Sequence, residues 1–102
     1  MIQILEQHHE RIAELCLKYG VQSLEIFGSA AGDTFNPETS DLDFLVDYFP
    51  SEAMDASDQY FGLKEELERL FRRDIDLVMV KALRNPYFVE EVNKTRRVLY
   101  AA

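Results

Sequence analysis

The stretch "FGSAAGDTFNPETSDLDFLV", residues 27 to 46, runs from an apolar residue into a small-residue turn and resumes with two aspartates bracketing a leucine. From there Leu42, Phe44, Val46 and Tyr48 alternate with Asp41, Asp43, Leu45 and Asp47, the two-residue period of a half-buried strand. One face belongs to a core; the acidic face looks outward or into a cleft. Aspartate is disfavoured in strands, and like charges on neighbouring same-face positions oppose folding, so the placement asks for compensation. Residues two apart on a strand stand about 6.5 to 7 Å apart at the backbone, near enough for Asp41 and Asp43 to reach one divalent ion.

Working outward, "VQSLEIF", residues 21 to 27, reads as a preceding strand whose Leu24/Ile26 face is apolar. Ahead of it Ile2, Leu5, Ile12, Leu15, Cys16 and Tyr19 recur at helical spacing, and Gly20 ends that helix. Residues 54 to 71 set Tyr60, Leu63, Leu67, Leu70 and Phe71 on one side and Lys64, Glu65, Glu66, Glu68 and Arg69 on the other, which predicts a helix. "RRDIDLVMV", residues 72 to 80, returns to a period of two, with Asp74, Asp76, Val78 and Val80 opposite Ile75, Leu77 and Met79. Asn85 as a cap and Pro86 at the first helical position open a short helix over 85 to 92, and "RRVLY" offers a final strand. The order describes one α/β (α+β) domain over residues 1–102, a small mixed sheet flanked by helices.

Composition narrows the function. The 102 residues are 47% hydrophobic, enough for one modest core, and carry a net charge of -8. That charge argues against gripping a long nucleic acid, which needs basic neutralisation of phosphates. No apolar run approaches a membrane span, and Glu6, His8, His9, Glu10 and Arg11 occupy the place of a signal peptide's apolar region. The single cysteine, Cys16, cannot form an internal disulfide, so the expected compartment is the cytoplasm.

Asp76 supplies a third carboxylate if its strand pairs with that of Asp41 and Asp43. Three such acids suit a hard cation such as magnesium, which completes its shell with water and substrate phosphates, and phosphoryl-type transfer is the matching chemistry. Gly28-Ser29 adds the other half: the glycine permits close backbone approach, while the hydroxyl and free amides of the turn can hold phosphate oxygens.

"GSAAGDTFNPETSDLD" followed by "DIDLV" resembles the nucleotidyltransferase superfamily related to DNA polymerase β. The short length and the ending "NPYFVEEVNKTRRVLY" are similar to the minimal nucleotidyltransferases, commonly antitoxins paired with HEPN-domain toxins. The resemblance implies the polymerase β-like nucleotidyltransferase fold, with Asp41, Asp43 and Asp76 as catalytic residues holding Mg2+, as two ions in two-metal chemistry. It implies that Asp76 also helps deprotonate the attacking hydroxyl and that Gly28 and Ser29 hold the triphosphate of ATP or another nucleoside triphosphate. The implied activity is transfer of AMP to a hydroxyl, a tyrosine of a HEPN toxin. Eleven residues separate Ser29 from Asp41, one more than in the common form of the motif, and Ala30 and Ala31 stand where many relatives carry an arginine. Lys64, Arg72 or Arg73 are then the alternative sources of positive charge.

Two other readings stay open: a non-catalytic module that neutralises its partner by occlusion, and a transferase acting on a small molecule. Homo- or hetero-oligomerisation is open as well. Outside the motif the residues read as scaffold. His8 and His9 are adjacent and point apart on a helix, Cys16 falls on the apolar stripe, and Asp47 reads as a solvated acid at a strand end; Asp74 shares the face of Asp76, which is preferred because it abuts the apolar "LVMV" run, and a contribution of Asp74 to the metal site stays open.

Overall fold

The computed structural model describes residues 3–31, the side chain of Ser29 excepted, and 41–102. The period switches along the sequence become the elements α1 (Gln3–Gln7), α2 (His9–Lys18), β1 (Val21–Phe27), a 3-10 turn (Gly28–Ala31), β2 (Leu42–Tyr48), α3 (Ala56–Phe71), β3 (Ile75–Met79), a second 3-10 turn (Val80–Ala82), α4 (Pro86–Thr95) and β4 (Arg97–Ala101).

Three boundaries differ from the periodicity, each for a local reason. The single helix expected ahead of Gly20 is two, because the chain leaves helical geometry at His8 (φ −107°, ψ 14°). There the imidazole Nδ1 lies 2.8 Å from the Ile4 carbonyl oxygen, and the ring stands edge-on to Phe71. His8 is therefore a structural residue at a helix junction. Next, α3 ends in a left-handed Arg72 (φ 54°), which redirects the chain so that β3 starts at Ile75 rather than at Arg72. Finally, α4 is capped as expected by Asn85, whose side chain accepts from the amides of Tyr87 and Phe88, but it continues past Val92 to Thr95.

The sheet order is β3-β2-β1-β4. β2 runs antiparallel to β1 and parallel to β3, and β4 closes the far side antiparallel to β1. A parallel neighbour requires a crossover, and α3 provides it. On one sheet face Leu24, Ile26, Leu42, Phe44, Val46 and Leu77 pack against Leu5, Ile12, Leu15 and Cys16 of α1 and α2 and against Leu63, Leu67 and Phe71 of α3. Cys16 is fully enclosed, and burial pushes its thiol up to about 12, so it is core rather than nucleophile. The opposite face holds a smaller cluster of Phe27, Leu45 and Val92, formed where α4 lies on the sheet. Buried Gln59 locks the β2 exit by donating to the carbonyls of Tyr19 and Phe49.

Phe44 is 0% exposed at the centre of the main cluster, whereas Phe61 is 57% exposed on α3. Phe44→Ala is expected to lower the unfolding free energy in urea by about 3–5 kcal/mol. Phe61→Ala is expected to change it by less than about 0.5 kcal/mol.

Candidate active site

Residue alternation decides what shares the α4 side of the sheet. With Phe44 and Leu77 in the main core, Asp43 and Asp76 point to the other side, and the parallel register sets them directly opposite each other. Across the antiparallel pair, Asp43 faces Phe27, the last residue of β1. Asp41 stands just before β2 at the same end and is exposed, as is Asp76; Asp43 is half-buried. The pairing on which the third carboxylate depends is thus present.

Asp43 carries the electrostatic consequence. Burial, then the charge of Asp76, then that of Asp41 push its carboxyl up from the ordinary 3.8 to about 6. The charges of Asp76 and Asp41 thus both reach Asp43. Among the described residues, however, no three His, Cys, Asp or Glu side chains stand together as a ready metal cage. The backbone brings the acids into electrostatic range without closing them on a point. Their donor set is oxygen throughout, which fits a hard divalent cation.

Gly28 explains the turn. Its φ of +73° is a conformation that side-chain-bearing residues adopt only under strain, and a Cβ there would lie 2.6 Å from Oδ2 of Asp43. The glycine is what allows the turn to lie against the carboxylate. Its amide is not free, as the sequence reading had it: the Gly28 N–H donates to Oγ1 of Thr95 at 2.9 Å. Ser29 lies within the same 3-10 turn, its side chain outside the described residues. The segment that sets the Ser29-to-Asp41 spacing, 32–40, is likewise outside them. Ala30 and Ala31, which replace the expected arginine, are buried in the main core, so that position now serves packing.

Two further contacts hold this corner, and the sequence did not announce either. Glu25 of β1 is buried on the α4 side and forms a two-pronged ion pair with Arg96, which follows α4; Arg96 Nε reaches Oε1 at 3.1 Å and its terminal nitrogen reaches Oε2. Phe88 of α4 stands edge-on to Phe27 at 6.0 Å. The only hint was a charged residue inside an otherwise apolar strand; its partner lies 71 positions away. Asp47 is half-buried and accepts from the amide of Tyr48, away from the site end.

The raised Asp43 carboxyl sets a pH dependence. Its folded pKa lies above the unfolded value, so its contribution to stability is full below about pH 4 and is lost as pH rises through about 6. Asp43→Asn is expected to raise Tm at pH 7.5 and to leave it unchanged near pH 4. Millimolar MgCl2 should raise Tm of the natural chain, but not of the variant, at pH 7.5; thermal scans with and without the salt check both. Gly28→Ala is expected to cost about 1–2 kcal/mol from the left-handed backbone alone, and more through the contact with Asp43. Urea unfolding measures it, and the further loss should shrink in an Asp43→Ala background.

Comparison with known proteins meets the same architecture. The family model of the nucleotidyltransferase domain matches residues 8–99. A Methanocaldococcus jannaschii protein named "Putative protein adenylyltransferase MJ0126" is 32% identical over 92 residues, covering 90% of this chain and 87% of the relative. A solved structure described as a "putative minimal nucleotidyltransferase" superposes with a TM-score of 0.70 at 30% identity, covering 91% of this chain and 90% of that one. The complex of a tri-AMPylated Shewanella oneidensis HEPN toxin with its MNT antitoxin shares the fold, with a TM-score of 0.65, 18% identity, and coverage of 96% of this chain and 73% of that one. The mixed four-stranded sheet, the glycine turn against the Asp43 carboxylate and the family match over nearly the whole length agree: the chain belongs to the nucleotidyltransferase domain family, and its fold is that of the minimal nucleotidyltransferases.

Proposed function

We propose that this nucleotidyltransferase moves AMP from ATP to a hydroxyl of a partner protein, a tyrosine of a HEPN-domain toxin, and so acts as the toxin's antitoxin. The observation that carries the reading is the register pair Asp43 and Asp76, with Gly28 held against Asp43. The relative's adenylyltransferase name and the fold shared with an MNT antitoxin support the choice of nucleotide and acceptor.

In this reading Asp41, Asp43 and Asp76 hold magnesium, as one or two ions, whose charge offsets that of the triphosphate and of the attacking oxygen. The oxygen of the acceptor hydroxyl bonds to the α-phosphorus. The bond from that phosphorus to the oxygen bridging the β-phosphate breaks, and pyrophosphate leaves with that oxygen and the bonding electron pair. The hydroxyl proton passes to a carboxylate oxygen of Asp76, whose exposure lets an acceptor reach it from solvent. Gly28 lets the turn lie against Asp43, and Ser29 contributes a hydroxyl to the triphosphate. A net charge of -8 steers the chain toward a basic partner. The reduced Cys16 and the supply of ATP fit a cytoplasmic setting.

One observation favours the occlusion reading: Ala30 and Ala31 are buried, so the turn offers no cation of its own to the triphosphate. Incubating the purified chain with magnesium, α-labelled ATP and source lysate, beside an Asp41→Asn/Asp43→Asn control, separates the two. The expected result is a covalently labelled protein band with the natural chain only. Absence of label, while a pull-down still recovers a partner, would favour occlusion.

A further inference from the structure

Gly28 has no side chain, so its position can be fixed only through its own backbone groups. The chain must hold it closely, because glycine loses more conformational freedom on ordering than any other residue. Here φ is +73° and the residue borders the Asp43 carboxylate. The Gly28 N–H is taken by Oγ1 of Thr95, at 2.9 Å, from 67 positions further along the chain. Thr95 is the last residue of α4, and the next residue, Arg96, already docks that end of the helix through its ion pair with buried Glu25. Val92 and Phe88 add apolar contacts toward Leu45 and Phe27. Attachment of α4 to the sheet is thus served by other groups, and the Thr95 hydroxyl goes instead to a residue that borders the Asp43 carboxylate.

We propose that Thr95 is a positioning residue for nucleotide binding: its hydroxyl holds the Gly28 amide and thereby fixes the glycine turn against Asp43, at the edge of which the triphosphate binds. The inference rests on the nucleotidyltransferase reading above. It also directs phosphate away from the Gly28 amide and toward the groups that follow it in the turn.

The test compares Thr95→Val, which keeps the shape and removes the acceptor, with Thr95→Ser, which keeps the hydroxyl. AMP transfer from MgATP is assayed with the partner protein labelled in the lysate experiment as acceptor, and hydrogen exchange of the Gly28 amide is followed by NMR without nucleotide. Thr95→Val is expected to raise KM for MgATP about tenfold with kcat within about threefold, and to speed exchange at Gly28. Thr95→Ser should match the natural chain in both. An unchanged KM in Thr95→Val, or a KM rise that Thr95→Ser shares in full, overturns the proposal. A natural chain that neither binds nor consumes MgATP overturns the reading beneath it instead, and the exchange rates then report the Thr95 bond separately.

Discussion

The arrangement of the site depends on the interior position of β2, hydrogen-bonded to β1 on one side and β3 on the other. A strand with partners on both edges cannot slip, and a slip of one residue would send Leu42, Phe44 and Val46 to the opposite face and the aspartates into the core. Burying those apolar side chains against α2 and α3 therefore does two things at once. It supplies the main hydrophobic stabilisation, and it commits Asp43 to the face on which Asp76 of β3 also lies. The acids are placed by the packing of residues that never touch them.

That same face carries two carboxylates with opposite treatment. Glu25 is buried and met by Arg96, a charge satisfied within the chain. Asp43 has no ion pair among the described residues, and its surroundings, burial included, all work against its charge. A fold selected for stability alone would give both the same answer, because an uncompensated, half-buried acid costs free energy at neutral pH. Such perturbed groups gather at functional sites, and under the proposed function the unsatisfied charge is what a cation arriving with the substrate would meet.

Most of the fold was legible because it is written in periodicity. The strand at 42–48, the helix at 56–71 and the Asn85-Pro86 start of α4 all follow from local patterns that tertiary packing reinforces. Boundaries were less so: the break at His8 depends on a side chain reaching the Ile4 carbonyl, and the late start of β3 on a left-handed Arg72, neither of which alters hydrophobic spacing. At the site, Asp43 opposite Asp76 was foreseeable from alternation once the strands were paired. The engagement of the Gly28 amide was not, because Thr95 lies far away in sequence and a threonine near a helix end carries no signal of its partner. Glu25 with Arg96 is the same case, a long-range contact between residue types that are usually solvated.

The surroundings of the acids bear on what the acceptor is. Open pockets among the described residues, about 580, 530 and 350 Å³, lie along the outer side of α4, between the end of α2 and the start of α3, and between α1, α2 and β4, and none of these three is lined by Asp41, Asp43 or Asp76. Enzymes that act on small molecules generally enclose them in a concave, mostly apolar pocket that fixes their orientation. Asp41 and Asp76 are exposed at one end of the sheet face on which α4 packs. A macromolecular acceptor can bring its own wall to such a surface and be oriented by contacts well outside the reacting atoms. A tyrosine already fixed on a docked protein needs no enclosing pocket, which is why the proposed function takes a protein acceptor rather than a small molecule.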